Sequence, residues 1–212
     1  MGRLTTCSQC KSIFTKNLFT FSDEDNDFCS YDCKTVFENP FSNVDLVVCD
    51  AGTLGVNGKA KAVSWAYCFV DSRNNLITSK VDMNWELKTS PQGEVLAIIE
   101  ALEALPVGWS GKVWSDCLYA LKVVFKTDYW DGYIWSDKKL NPKLKKRRDV
   151  LWRKYDGFKD FEIELLSGHP NKKELEAKVA KNGRRVSEWN VVCDSLCTDI
   201  MEEWKVNTSQ KP

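Results

Sequence analysis

Asp50, Glu94, Asp116 and Asp194 are set apart from the other acids of this 212-residue chain by their surroundings. Asp50 closes the apolar run VDLVVCD, and Asp116 closes GKVWSD. Glu94 stands near the start of SPQGEVLAIIEALEAL, and Asp194 lies within EWNVVCDSLC. Carboxylates are hard oxygen donors, and three or four of them together can hold two Mg²⁺ or Mn²⁺ ions about 3.5–4 Å apart. Such a pair serves both the attacking water and the leaving oxygen of a phosphodiester. A single aspartate at a strand end is usually a turn residue, so this chemistry requires the four to converge.

A second set of residues suits a different metal. Cys7-x₂-Cys10 and Cys29-x₃-Cys33 are two short cysteine pairs within the first 33 residues, a pattern for tetrahedral thiolate coordination of one Zn²⁺. A closed four-thiolate site leaves no position for water and is therefore structural. So short a segment buries little apolar surface and depends on the metal to fold. A redox CxxC is the competing reading, weakened by the second pair. FCSYDCKTVF also resembles treble-clef zinc modules of the "Phe-Cys-Ser" type. The other five cysteines, Cys49, Cys68, Cys117, Cys193 and Cys197, are odd in number and scattered, which fits reduced, buried thiols of an intracellular protein.

The 30 basic and 30 acidic side chains cancel, but they are unevenly placed. Asp23, Glu24, Asp25 and Asp27 cluster early, whereas the stretch from Lys138 to Lys154 is strongly basic. Within it Lys145, Lys146, Arg147, Arg148 and the neighbouring Trp152 suit contact with a phosphate backbone; a solvated helix face is the alternative. No run of 18 apolar residues occurs, and MGRLTTCSQC lacks the apolar core of a secretory signal. A soluble, cytoplasmic protein with no membrane partner is the expectation.

Periodicity supplies the elements that must position these groups. VDLVVCD reads as a buried strand ending at Asp50, with a turn at AGTLG. Two hairpin-linked strands follow, from Lys61 to Asp71 and over LITSKVDMNWEL. Val95, Leu96, Ile98, Ile99, Leu102 and Leu105 then mark an amphipathic helix with Ser90 as candidate cap and Pro91 in its first turn. GKVWSD is a fourth strand, CLYALKVVF a helix, the region around Lys145 to Tyr155 short basic helices, FEIELLSGH a fifth strand, and Ser187 can cap a last helix. The expectation is an α/β fold, a mixed five-stranded sheet flanked by helices over residues 41–212, plus a small zinc module over residues 1–40. In such sheets sites gather at the carboxyl ends of strands, where Asp50 and Asp116 both stand.

Several blocks, in order, resemble the ribonuclease H type 1 family from about Val44 to Glu203. DLVVCDAGTLGVNGK resembles its first strand and metal-binding aspartate, and TSPQGEVLAIIEALEAL its glutamate helix. VWSDCLYALKVV resembles its Asp-Ser-x-Tyr block and RRDVLW its basic region. LLSGHP resembles the strand ending in Gly-His, and NVVCDSLC the last helix. The resemblance implies that Asp50, Glu94, Asp116 and Asp194 are ligands of two Mg²⁺ or Mn²⁺ ions. It implies that His169, the chain's one histidine, assists proton transfer or product release. Thr89 matches a phosphate contact, and Asn57 a minor-groove contact. Two departures stand out: Ser90 and Pro91 occupy positions where many relatives have Asn and Gln, and the run from His169 to Asp194 is long.

The activity so implied is hydrolysis of the RNA strand of RNA–DNA hybrids, leaving 5′-phosphate and 3′-hydroxyl ends. An A-like hybrid exposes 2′-hydroxyls along a wide minor groove, where they can be read without base contacts. The alternatives are a structure-specific DNA nuclease or resolvase of the same fold and a non-catalytic hybrid-binding adaptor. A monomer is expected, with a protein partner open to it through the zinc module.

Overall fold

The computed structural model describes residues 4–6, 13–15, 21–22, 27–28, 41–126 and 140–209. The chain divides into two compact units, Met1–Asn43 and Val44–Pro212. In the first, β1 (Leu4–Thr6) pairs antiparallel with β2 (Ile13–Thr15), and β3 (Phe21–Ser22) with β4 (Asp27–Phe28). Cys7, Cys10, Cys29 and Cys33 lie outside the described residues, as does the first part of the basic stretch through Lys139.

The second unit is built on a five-stranded sheet. Its strands are β5 (Leu46–Leu54), β6 (Ala62–Val70), β7 (Leu76–Asn84), β8 (Lys112–Ser115) and β9 (Glu162–Leu165), in the order β7-β6-β5-β8-β9. β5, β6 and β7 form an antiparallel meander, while β8 lies parallel to β5 and β9 parallel to β8. The parallel partners are reached through helices, as crossover geometry requires: α1 (Ser90–Ala104) precedes β8, and α2 (Leu118–Phe125) and α3 (Pro142–Lys154) precede β9. The short helix α4 (Lys172–Ala177) and the long α5 (Glu188–Ser209) complete the chain. Among the described residues no helix is long and apolar enough to cross a membrane.

All nine residues of β6 are buried, so its Val, Ala and aromatic side chains do not alternate with polar ones. This is the pattern of a strand covered on both faces. α5 packs on the face of Leu46, Val48, Ala66 and Cys68, using Cys193 and Cys197, with Trp189, Val192 and Leu196 around them. α1 covers the other face, where Ile98, Ile99 and Leu102 are fully buried; burying each stabilises the fold by about 1.5–3 kcal/mol. Gly93 permits that packing, since a Cβ there would stand 2.2 Å from Val63 Cγ1 and 2.8 Å from Ala51 Cβ. The close approach carries the next residue, Glu94, to the middle of β5.

Three local expectations need correction. β5 does not end at Asp50 but runs on to Leu54, because β6 pairs with it along its whole length, Asp50 opposite Ala66 and Leu54 opposite Ala62. The turn falls later, where Gly55 takes φ +105°, a conformation costly for any residue with a Cβ. Ser90 does not cap α1. Thr89 holds that position, and the Ser90 hydroxyl donates to the Ala51 carbonyl at 2.9 Å, tying helix to strand. The basic helix begins at Pro142, three residues before Lys145, because Asn141 caps it by accepting from Lys143 N at 2.8 Å and proline suits a first helical position. Ser187 does cap α5, its hydroxyl accepting from Trp189 N at 3.2 Å.

Candidate metal centre

Strand register brings the first two acids together. Cys49 pairs with Ser115 across the parallel β5–β8 ladder, so Asp50 and Asp116 are the next residues on adjacent chains. β8 stops at Ser115. Asp50 therefore lies inside its own strand but level with the carboxyl end of its neighbour, which opens a crevice beside it. Glu94 enters from α1. Oxygen atoms of Asp50, Glu94 and Asp116 all lie within 4.8 Å of one another.

The three carboxylates are held by neutral groups. Ala51 N donates to Asp50 Oδ1 at 2.7 Å and to Glu94 Oε1 at 3.1 Å. The Ser115 hydroxyl donates to Glu94 Oε2 at 3.3 Å, and Asn190 Nδ2 to Asp116 Oδ2 at 3.5 Å. Asp50 Oδ2 is buried without a partner. Burial and the nearby Asp116 charge push Asp50 up to about 7. Burial and the Asp50 charge push Glu94 well above the usual carboxylate range, and burial raises Asp116. Like charges crowded in low dielectric resist ionisation together, and a divalent cation is the partner that relieves them. The donor set, hard oxygens with one buried oxygen left over, fits a hard divalent cation.

Asp194 and His169 form the outer part of this region. His169 Nδ1 is 3.7 Å from Asp194 Oδ2, with the histidine side chain 81% exposed and the aspartate 48%. Asp194 adds its charge to those already raising Asp50 and Asp116. The chain reaches His169 through Gly168, where a Cβ would stand 2.3 Å from Asp116 Oδ2. No residue with a Cβ fits there without displacing that carboxylate, so the Gly-His pair runs directly over the acids. His169 takes φ +47°, a conformation that turns the chain sharply away from the strand.

Asn57 and Thr89 line one cavity of about 500 Å³ with Gly58, Pro91, Gln92 and Tyr119. The Asn57 side-chain oxygen Oδ1 accepts from Ser90 N at 3.2 Å. The basic helix is placed differently. Arg148 is buried, its side chain 1% exposed, and donates to Val123 O at 3.2 Å and to Asp149 Oδ1 at 2.7 Å. Arg147 is held by Glu100 and Glu103 of α1. Trp152 packs edge-on against Phe158 and carries Lys126 Nζ 4.3 Å above its ring. Lys145 and Lys146 are exposed. The expected basic surface is thus divided, with Arg148 buried in the interior and unable to reach a phosphate.

Ser115 escapes sequence reasoning, while Tyr119, Gly168 and Asn190 stand in the blocks that carry the resemblance without a role of their own there; Asn190 has a further signal, since it precedes Asp194 by four residues and so shares its helix face.

No family model matches the sequence, and no curated protein matches it. Solved structures do. The protease–reverse transcriptase of prototype foamy virus matches with a TM-score of 0.52 at 15% identity, over 76% of this chain and 21% of that one. The foamy viral protease–reverse transcriptase in complex with an RNA/DNA hybrid matches at 0.50 and 12%, over 76% and 20%. RNase H1 of the halophilic archaeon Halobacterium salinarum matches at 0.40 and 19%, over 58% and 85%. The likeness is one of fold: the mixed five-stranded sheet and flanking helices match part of the foamy virus chain.

Proposed function

We propose that this protein is a metal-dependent endoribonuclease that hydrolyses the RNA strand of RNA–DNA hybrids, leaving 5′-phosphate and 3′-hydroxyl ends. The observation that carries the reading is the convergence of Asp50, Glu94 and Asp116 within 4.8 Å at the carboxyl end of β8, in an RNase H-like fold. Asp50, Glu94, Asp116 and Asp194 would hold two Mg²⁺ or Mn²⁺ ions. When bound, these ions would supply an activated water and charge stabilisation at the leaving oxygen.

The remaining roles belong to the chain itself. Ser115 and Ala51 N aim the Glu94 carboxylate, and Asn190 aims Asp116. Oxygens oriented in advance lose little freedom when an ion arrives. His169, exposed on its turn beside Asp194, is placed to hand a proton to a departing product or take one from it. Asn57 and Thr89 share the cavity next to the acids and are assigned to the nucleic acid. With Ser90 Oγ committed to Ala51 O, discrimination of the 2′-hydroxyl falls to these neighbours. Cys7, Cys10, Cys29 and Cys33 are assigned one structural Zn²⁺, on the chemistry of four thiolates alone.

The test is cleavage of end-labelled RNA–DNA hybrid, double-stranded RNA and a four-way DNA junction, with Mg²⁺ or Mn²⁺. Hybrid-selective cleavage supports the reading. Junction cleavage alone would move the activity to a DNA nuclease of the same fold, and inertness on all three would leave a binding protein. Asp116→Asn should abolish turnover while retaining hybrid binding, since it removes charge from the metal centre and leaves the groove intact. Less than about half an equivalent of zinc in reduced, freshly purified protein would remove the zinc assignment.

A further inference from the structure

Two alternatives are open for the long segment between His169 and α5: it covers the acids, or it extends the surface around them. The structure favours the second. His169 and Asp194, the groups nearest the segment's root, keep 81% and 48% of their side-chain surface exposed. The segment instead folds on itself. Asn171 and Glu174 form a reciprocal capping box at the start of α4. Val179 then bridges to Arg185, Ala180 N donates to Arg184 O at 2.9 Å, and Val186 N donates to Lys178 O at 3.2 Å. The return strand is anchored to the sheet edge. Ser167 N donates to Arg185 O at 3.0 Å, and the Arg185 guanidinium binds Glu164 at 2.8 Å and lies over Trp114 at 4.9 Å.

This rigid hairpin leaves its cations outside. Lys172, Lys173, Lys181 and Arg184 are exposed, and among the described residues none of their head groups is in an ion pair with a carboxylate. Of the hairpin's two acids, Glu174 is engaged by the Asn171 and Lys181 backbone amides and by Asn171 Nδ2, and Glu176 is exposed, so the cations outnumber the acids. Arg185 is spent on anchoring. The hairpin begins three residues after Gly168, where an added Cβ would clash with the Asp116 carboxylate. A cationic, conformationally fixed surface is therefore rooted at the edge of the acid cluster. Acids that collect metal would themselves repel a polyanion, and cations nearby offset that repulsion.

We propose that the 171–185 hairpin is a nucleic-acid contact surface, with Lys172, Lys173, Lys181 and Arg184 engaging phosphates of the duplex that lies across the metal centre. The proposal rests on the nuclease reading and adds to it the place where the substrate's backbone is gripped. Such contacts release counterions and carry no sequence information, so they set affinity and its salt dependence.

The experiment measures binding of a fluorescein-labelled RNA–DNA hybrid to the full chain in EDTA across a salt series. The comparison is the combined Lys172→Gln, Lys173→Gln, Lys181→Gln, Arg184→Gln variant. Each lost phosphate contact lowers the slope of log K against log salt by about 0.9. A slope shallower by about 3, with affinity down at least tenfold near 0.1 M salt and an unchanged melting temperature, is the expected result. Lys172→Arg, Lys173→Arg, Lys181→Arg should keep the wild-type slope, separating charge from any effect on the hairpin's fold. If the glutamine variant retains the wild-type slope while the wild-type protein cleaves hybrid in Mg²⁺, this proposal fails and the nuclease reading stands. If the wild-type protein neither binds nor cleaves hybrid, both fail.

Discussion

The acid cluster and helix α3 treat buried charge in opposite ways. Around Asp50, Glu94 and Asp116 three carboxyl groups share one space, their partners are neutral donors, and Asp50 Oδ2 has none. In α3 each cation drawn toward the interior is matched from within the chain. Arg148 has Val123 O and Asp149, Arg147 has Glu100 and Glu103, and Lys154 donates to Leu102 O and Leu105 O at the end of α1. Lys154 there meets the negative end of the α1 dipole. Charge matched internally is architecture. Charge left unmatched in a buried site holds a cost that a ligand from outside can relieve.

That contrast can be broken or sharpened by substitution. The largest effect is expected at Asp50. Asp50→Asn should lower hybrid cleavage by at least about a thousandfold, yet raise the metal-free protein's stability by about 1–2 kcal/mol at pH 8, because it removes a buried charge crowded by neighbouring carboxyl groups. Turnover assays and urea unfolding in EDTA check the two halves. A variant that is inactive and less stable would mean that the Asp50 charge is already matched from within.

Next comes Arg148. Arg148→Ala should destabilise the protein by about 2–4 kcal/mol, because it opens a cavity and deprives the Val123 carbonyl of a donor. Urea unfolding measures it. A loss below about 0.5 kcal/mol, the range of ordinary surface substitutions, would deny its structural role.

The acid cluster also predicts a pH dependence. Asp50 stands at about 7 in the folded chain against 3.8 as its ordinary value, and Glu94 and Asp116 are displaced the same way. Between those values the folded state binds the extra proton. The Asp50 contribution to stability in EDTA therefore falls as pH rises from about 4 to about 7 and levels off above. The wild-type minus Asp50→Asn difference in melting temperature isolates the effect, and saturating Mg²⁺ should stabilise the wild-type protein more at pH 8 than at pH 5. Equal stabilisation at both would place the ion elsewhere.

Arg147→Gln should have the smallest effect. Its ion pairs with α1 are partly exposed, so about 0.5–1 kcal/mol of stability is at stake. The salt slope of hybrid binding should not move, since this guanidinium is already occupied. A slope reduced by about one would return Arg147 to the nucleic-acid surface.

Much of the fold was legible because it depends on local pattern. The apolar run before Asp50, the 3.6-residue spacing from Val95 to Leu105, and the Ser187 cap each specify an element from neighbouring residues. Errors arose where a distant partner overrode the local signal. AGTLG is strand because β6 pairs with it, and Ser90 serves Ala51 O, 39 positions away, in place of its own helix.

By itself, then, the sequence determined which elements form, in what order, and which side chains are able to bind metal or phosphate. Only the tertiary structure decided which of these meet. The parallel register of β5 and β8 sets Asp50 beside Asp116, the missing side chain of Gly93 lets Glu94 approach, and Asn190 reaches Asp116 from α5. It also divided two basic segments that read alike. One meets Glu100 and Glu103 more than 40 positions away and becomes structure, while the other folds against itself and keeps its cations in water. The reason is physical: periodicity is a property of neighbours along the chain, whereas neutralising a charge depends on distance in space.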